Sequence, residues 1–241
     1  MSYAKRALVI VAIVIGLVVL ISLEAGAGGA AEATSARAVS GFDTVSLDTS
    51  GELIITQGDS EGLEIVGSSD DLPYIVTEVQ GGALRISREG PGPIFSVRNT
   101  VFRLRMKDIS SLEADSSGSI SVRRLRADSL RIHISSSGSI SIDSLTAGSL
   151  EVQISSSGSL RVAGDVDRQD VVLSSSGSYA AGALSSRTAK VVASSSGTAT
   201  VRVSDSLDAN VSSSGDVRYY GNPPLVNGNA TSSGRIVRQG G

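Results

Sequence analysis

Residues Leu150 to Val162 read LEVQISSSGSLRV, and this stretch decides the fold. Apolar Leu150, Val152, Ile154, Leu160 and Val162 fall on even positions, whereas the odd positions between them are polar. Successive side chains of a β-strand point to opposite faces, so alternation with a period of two predicts strands with one buried face.

The serine-rich centre of this stretch recurs along the chain. Seven copies of a Ser-Ser-Gly motif end in glycines that are 20, 20, 19, 20, 18 and 19 residues apart, and an earlier copy in the same frame ends at Gly51. The eight glycines are Gly51, Gly118, Gly138, Gly158, Gly177, Gly197, Gly215 and Gly234. A fixed period in this range is typical of solenoids, and it is too short for a propeller blade. The sequence predicts an all-β parallel β-helix, or β-solenoid, with coils of about 20 residues.

The strand frame makes a prediction for each repeated serine. The middle serine shares the parity of the apolar residues, so we expect it to point inward or line a corner, as part of an inward ladder of paired hydroxyls. Its members are Ser136, Ser156, Ser175, Ser195, Ser213 and Ser232. The serines on either side are expected to form an outward stripe. Each following glycine is expected where the coil bends or takes a positive φ.

The chain divides into four parts. Lys5 and Arg6 precede an apolar run over 7–23, which predicts a signal peptide or an N-terminal membrane anchor over residues 1–27. Residues 28–40 are interpreted as a short flexible linker. Residues 41–112 are predicted as irregular β coils that cap the N-terminal edge, continuous with the regular repeat of 113–241. The protein is therefore expected to be exported.

Composition excludes several kinds of chemistry. The 241 residues include no Cys and one His, and the net charge of −3 gives no basic surface for nucleic acid. The single imidazole, His133, is predicted to point outward from a coil without a catalytic triad. Asp165, Asp167 and Asp170 could bind calcium through oxygen ligands, but they are interpreted as part of a solvated loop. The sequence predicts no catalytic residue, metal or cofactor.

Four segments resemble a known family. They are Gly41–Gly51, Ile54–Asp59, Leu72–Val79 and Asp216–Pro224, and together with the Ser-Ser-Gly turns they are similar to the putative auto-transporter adhesin, head GIN domain family. The resemblance covers roughly residues 40–237 and implies a β-helical protein of the bacterial cell envelope. The family usually has Ser-Gly-Ser-Gly at the turn, where most turns of this chain have Ser-Ser-Ser-Gly.

Three classes of function follow. The favoured one is a non-enzymatic structural or adhesive module of the cell envelope. The second is a hydroxyl array that binds glycan, mineral or ice, and the third is an enzyme that acts on polysaccharide, which needs converging acidic groups. The expected partners are a glycan or protein at a cell surface, the membrane if residues 1–27 are retained, and other copies through the solenoid edges.

Overall fold

The protein is all-β, as the alternation predicts. The computed structural model describes residues 32–90 and 99–240, together with the backbone of 13–14, 17–18 and 20–23. A 3-10 turn spans Leu72–Tyr74, and no helix in these ranges is long and apolar enough to cross a membrane.

Short strands make up the N-terminal half. They are β1 (Ile13–Val14), β2 (Leu17–Val18), β3 (Leu20–Leu23), β4 (Glu32–Arg37), β5 (Thr44–Leu47), β6 (Glu52–Gln57), β7 (Gly62–Ser68), β8 (Ile75–Gln80), β9 (Ala83–Arg88) and β10 (Val101–Met106).

Longer strands follow in the repeat region. They are β11 (Ser111–Ala114), β12 (Ser119–Val122), β13 (Leu125–Ile134), β14 (Ser139–Ile154), β15 (Ser159–Leu173), β16 (Ser178–Ala193), β17 (Thr198–Val211), β18 (Asp216–Tyr220), β19 (Leu225–Ala230) and β20 (Arg235–Arg238).

Coils of this region stack in parallel, and the register matches the sequence repeat. Ile134 lies beside Ile154, and Ile154 lies beside Leu173. Each long strand runs around a corner of the coil; the register between β14 and β15, for example, shifts between Ile142 and Leu145. Equivalent side chains therefore form columns with a spacing of about 4.8 Å along the solenoid.

Two such columns run through the core on opposite faces of the coil. On the face that we call face A they are Leu47, Ala114, Ile134, Ile154, Leu173, Ala193 and Val211; on face B they are Leu53, Ile120, Ile140, Leu160, Tyr179, Ala199 and Val217. All of these side chains are buried. Small and β-branched aliphatic residues suit this narrow interior, since each side chain has only the width of one coil to fill.

The N-terminal end has an order that the repeat does not reveal. The coil made by β9 and β10 stacks on the coil made by β5 and β6, although it comes later in the chain. On its outer side β8 pairs antiparallel with β9, and β7 pairs antiparallel with β10. These two antiparallel strands cover the edge of the solenoid on both faces.

The linker predicted over residues 28–40 is wrong for its central part. Glu32–Arg37 is strand β4, which pairs antiparallel with β7, and Ala33 and Ser35 are buried there. Pairing with β7 satisfies the backbone N–H and C=O groups of this segment. Its composition predicts instead that water would satisfy them. Of the segment predicted as a signal peptide or anchor, only the backbone of β1 to β3 is described, and the rest of residues 1–27 lies outside the described residues.

Candidate functional site

The middle serines of the repeat do not face the core. Five of them adopt the left-handed backbone conformation, with φ between 60° and 65°, and their side chains are exposed: Ser156, Ser175, Ser195, Ser213 and Ser232. Ser136 is half-buried. The predicted inward ladder of hydroxyls is therefore wrong at these six positions.

The error has a physical cause. Parity predicts side-chain direction only while the backbone is extended, and the strand ends at Ile154, before the Ser-Ser-Ser-Gly corner. At the corner the carbonyl of Ser156 accepts a hydrogen bond from the N–H of Ser176 in the next coil, at 3.0 Å. The backbone of the middle serine thus holds the stack together, while its hydroxyl projects into solvent.

The corner glycines serve close packing. Most of them are buried, and of the eight only Gly51 has a positive φ. A Cβ on Gly158 would lie 2.3 Å from Cγ2 of Ile134, and one on Gly118 would lie 2.5 Å from the carbonyl oxygen of Thr49. Glycine is needed because the corner passes directly over the core side chains of the neighbouring coil.

First serines of the motif stabilise the corner. The hydroxyl of Ser155 donates to the carbonyl of Ile134 at 3.4 Å, and that of Ser194 donates to the carbonyl of Leu173 at 3.2 Å. The second and third serines are exposed except for half-buried Ser116 and Ser136, and the exposed ones form what we call the corner stripe. Its members are Ser117, Ser137, Ser156, Ser157, Ser175, Ser176, Ser195, Ser196, Ser213, Ser214, Ser232 and Ser233.

A second set of hydroxyls lies directly after the corner, on the outer surface of face B. Two columns side by side form what we call the hydroxyl face: Ser119, Ser139, Ser159, Ser178 and Thr198 in one, and Ser121, Ser141 and Thr200 in the other. Adjacent positions in a column are about 4.8 Å apart, and the two columns are separated by two residues of a strand, about 6.6 Å. The first column has a hydroxyl on five consecutive coils, whereas Arg161 and Ala180 lie between Ser141 and Thr200 in the second. A shallow groove of about 350 Å³ runs along the two columns from Glu52 as far as Ser178 and Ala180.

Sequence reasoning missed the hydroxyl face as a site. The signal was present in Ser-Ile-Ser-Val over 119–122 and Ser-Ile-Ser-Ile over 139–142, where serine alternates with buried aliphatic residues. The outward serines there belong to the strand, so the parity argument applies to them without the complication of the corner.

Charge is sparse on the hydroxyl face. Glu52 and Asp216 lie at the two ends of the first column, and Arg161 interrupts the second. Asp216 forms an ion pair with Arg218, with Oδ2 and Nη2 2.7 Å apart. The first column is therefore neutral between its ends and rich in groups that both donate and accept hydrogen bonds, and the exposed side chain of Arg161 places one positive charge beside its centre.

Face A carries the charges instead. Arg131 and Glu151, neighbours in one outward column, form an ion pair with a separation of 3.2 Å, and Asp170, Lys190 and Asp208 continue that column. His133 is half-exposed on the same face, in register with Glu113 and Gln153 and away from the hydroxyl columns.

Metal ligands are not gathered anywhere in the part of the chain that the structure describes: no three His, Asp or Glu side chains there could hold one ion. Asp165, Asp167 and Asp170 belong to strand β15, so the predicted solvated loop is wrong. Asp170 instead forms an ion pair with Arg168, with a separation of 3.1 Å.

A polar cluster interrupts the apolar core. The hydroxyl of Tyr179 donates to Oε1 of Gln169 at 2.9 Å, and Nε2 of Gln169 donates to the hydroxyl of Ser186 at 2.7 Å. Ser186 in turn donates to the carbonyl of Arg202 at 2.8 Å. All three side chains are buried, and burial raises the pKa of Tyr179 well above its ordinary value.

Comparisons with known proteins agree with this geometry. A family model described as "Putative auto-transporter adhesin, head GIN domain" matches residues 41–223. No curated protein matches the sequence.

Several solved structures are similar to the chain. A putative adhesin from Bacteroides fragilis superposes with a TM-score of 0.82 and 21% identity, over 86% of this chain and 97% of that one. A putative adhesin from Parabacteroides merdae gives 0.70 and 17%, over 87% and 96%. A putative lipid binding protein from Parabacteroides distasonis gives 0.69 and 22%, over 87% and 97%. At these identities the likeness shows the fold alone.

Proposed function

The chain belongs to the putative auto-transporter adhesin, head GIN domain family, and from that premise we propose that it is an exported, non-enzymatic adhesive module. The hydroxyl face and the adjoining corner stripe bind an extended, uncharged polymer rich in hydroxyl groups, such as a glycan at a cell surface. The observation that supports this proposal is the repetition of the same hydroxyl positions over consecutive coils.

Repetition suits a polymeric ligand. One hydroxyl contributes about 0.5–1.5 kcal/mol through a hydrogen bond that replaces one to water. Several equivalent contacts on one rigid sheet raise the overall affinity, since each further contact is made within the same complex. The neutral first column also avoids removing charges from water when an uncharged ligand docks along it.

The arrangement of acidic groups argues against hydrolysis of a glycan on this face. A glycosidase holds two carboxyl groups about 5–9.5 Å apart. The two carboxylates of the first column, on Glu52 and Asp216, are separated by six coil spacings, or about 29 Å. They cannot act on one glycosidic bond together.

Export is supported by the order of charge and hydropathy at the N-terminus. Lys5 and Arg6 stay on the cytoplasmic side, and the apolar run of 7–23 enters the membrane. Deletion of residues 1–27 is expected to leave the protein inside the cell. The mass of the exported form distinguishes cleavage after Ala27 from retention as an anchor.

Binding of the full-length protein, kept in mild detergent, to a glycan array and to whole cells tests the adhesive role. The double variant Thr198→Val and Thr200→Val removes two hydroxyls of the hydroxyl face and keeps the shape of both side chains. We expect its affinity for the bound glycan to fall about 5- to 150-fold, at roughly 0.5–1.5 kcal/mol per lost hydrogen bond.

The matched control is Thr188→Val, the same change at a half-exposed residue of β16 outside the hydroxyl face. It is expected to bind like the unaltered protein. Equal affinity of the double variant and the control would refute the role of the hydroxyl face. Appearance of cleaved glycan would refute the non-enzymatic assignment.

A further inference from the structure

The last coil that the structure describes is uncovered on its outer side, and we call this side the open end. Strands β19 and β20 are the last strands of face A and face B, and in the described part of the chain each pairs on one side only, with β17 and β18. Apolar side chains are exposed here: Leu225 is 54% exposed, and Val226 and Val237 are each 41% exposed.

Side chains of the last coil continue the core columns. Val226 lies in register with Leu207, and Ile236 lies in register with Val217, which is fully buried. Strands stacked on the outer side of the last coil could therefore bury Val226 and Ile236 as Leu207 and Val217 are buried. The end of the solenoid exposes a cross-section of its own core.

Unpaired backbone groups border this cross-section. The N–H of Thr231 donates to the carbonyl of Val211, and that of Arg235 donates to the carbonyl of Gly215, so both point back into the stack. In a strand, successive N–H groups point to opposite sides, which leaves those of Ala230 and Ile236 facing outward. An uncovered row of this kind is a template for pairing with another strand.

The other end of the same solenoid shows how this fold covers such an edge. There β8 lies antiparallel to β9 on face A, and β7 lies antiparallel to β10 on face B. One antiparallel strand on each face is sufficient. The open end requires the same two strands.

The strands that border residues 24–31 and 91–98 lie at the covered end or in its coil. Residues 24–31 connect β3 to β4, and residues 91–98 connect β9 to β10. Strand β4 pairs with β7 in the cap, so neither connection starts or ends near the last coil.

We propose that a second copy of the chain covers the open end, in a head-to-head dimer with a two-fold axis through the last corner, Thr231–Gly234. Strand β19 runs toward this corner and β20 runs away from it. Rotation by 180° about the bisector of the corner places β19 of each copy antiparallel to β20 of the other. The two antiparallel strands that the edge needs are thus supplied at once, as in a self-complementary isologous interface.

The distribution of charge fits this pairing. β20 carries Arg235 and Arg238, whereas β19 carries no charged residue. The two-fold axis places each β20 beside a neutral β19, so the arginines of the two copies do not face each other. One coil behind β19, exposed Asp208 lies in register with Asn227 and offers the opposite charge.

Sedimentation of the full-length protein in mild detergent, over a range of concentrations, tests the dimer. The unaltered chain is expected to change from one to two copies as concentration rises. Val226→Lys places a charge in the exposed core cross-section. This variant is expected to sediment with the mass of a single copy at every concentration. Val172→Lys makes the same change at a residue that is 47% exposed in the middle of face A, and it is expected to leave the dimer intact.

A cysteine cross-link tests the position of the axis without relying on the stability of the last coil. The chain has no cysteine, so Ser233→Cys introduces a single thiol next to the two-fold axis. It is expected to form a disulfide-linked dimer under mild oxidation. Ser196→Cys, at the equivalent exposed residue of an inner corner, is expected to stay uncross-linked. A single copy at every concentration, or a dimer that keeps its mass in Val226→Lys and lacks the Ser233→Cys cross-link, overturns the proposal.

Discussion

The side-chain amide of Gln57 hydrogen-bonds to both backbone groups of Arg126. The N–H of Arg126 donates to Oε1 of Gln57 at 2.8 Å, and Nε2 of Gln57 donates to the carbonyl of Arg126 at 2.9 Å. The same Nε2 also donates to the carbonyl of Lys107 at 3.0 Å. The side chain of Gln57 thus makes the backbone hydrogen bonds that a neighbouring strand would make. It does so where β6 ends and the chain leaves the stack to form β7.

Gln57→Glu tests this replacement. The carboxylate keeps the acceptor for the N–H of Arg126 but loses both donors and faces two carbonyl oxygens. We expect the free energy of unfolding, from chemical denaturation, to fall by about 1–3 kcal/mol. Gln153→Glu, on the outer surface of face A, is expected to change it by about 0.5 kcal/mol or less. Equal effects at the two positions would show that the bonds of Gln57 contribute nothing.

Gly158→Ala tests whether the corner glycines are required for packing. The added methyl would lie 2.3 Å from Cγ2 of Ile134, so we expect a loss of about 1–3 kcal/mol through overpacking. Gly58→Ala is the control, because a Cβ there meets no atom within 4 Å and φ is not positive. It is expected to be neutral or to stabilise by up to about 1 kcal/mol. Thermal unfolding of both variants measures the difference, and a neutral Gly158→Ala would contradict the packing role.

Ser156→Gly tests the left-handed conformation of the middle serine. At φ of 65° an L-residue carries a strain of roughly 1–2 kcal/mol that glycine lacks, although glycine gains about 0.4–1 kcal/mol of entropy in the unfolded chain. We expect the variant to be as stable as the unaltered protein or more stable by about 0.5–1 kcal/mol.

Ser157→Gly is the matched control for that change, since Ser157 is equally exposed and has no positive φ. Only the entropic cost applies there, so a loss of up to about 1 kcal/mol is expected. A greater loss at Ser156 than at Ser157 would contradict the strain argument. The Ser-Gly-Ser-Gly turn typical of the family has its glycine at this middle position, which agrees with the expected sign.

Much of the fold could be predicted because strand geometry acts locally. Ile154, Leu160 and their counterparts in neighbouring coils alternate with polar residues, and a period of about 20 residues brings them into register. The direction of Ser156 could not be predicted, because it depends on a backbone turn rather than on parity. The placement of β9 before β5 in the stack could not be predicted either, since it depends on pairing between distant segments with no repeated motif.

The hydroxyl face could have been predicted from the sequence, whereas the polar cluster of Tyr179, Gln169 and Ser186 could not. Thr198 and Ser178 follow the corner at the same offset in their repeats, so their column follows from the period. Gln169 occupies a column position where the coils before and after have Leu150 and Ala189. A polar residue in that column is explained only by its partner Tyr179, which lies on another face of the coil.

Tyr179→Phe and Gln169→Leu together test whether this cluster acts as a unit. Tyr179→Phe leaves Oε1 of Gln169 without its donor in a buried site, and Gln169→Leu leaves the Tyr179 hydroxyl without its acceptor. Each single change is expected to lower the free energy of unfolding by about 1–3 kcal/mol. The double variant is expected to lose much less than the sum, because no buried polar group of the pair is left unpaired. Additive losses would show that the two side chains contribute independently.

A pH titration of stability gives a second, independent measure of the same cluster. Burial raises the pKa of Tyr179 in the folded protein, while in the unfolded chain the phenol titrates near about 10. Above that pH the unfolded chain loses the proton and the folded protein keeps it, so the contribution of Tyr179 to stability declines as the pH rises. The unaltered protein is therefore expected to lose more stability above pH of about 10 than Tyr179→Phe does. Tyr219→Phe, at a half-exposed tyrosine of β18, is expected to retain the full decline. Parallel pH profiles for the unaltered protein and Tyr179→Phe would mean that the phenol is not held in its protonated form by the core.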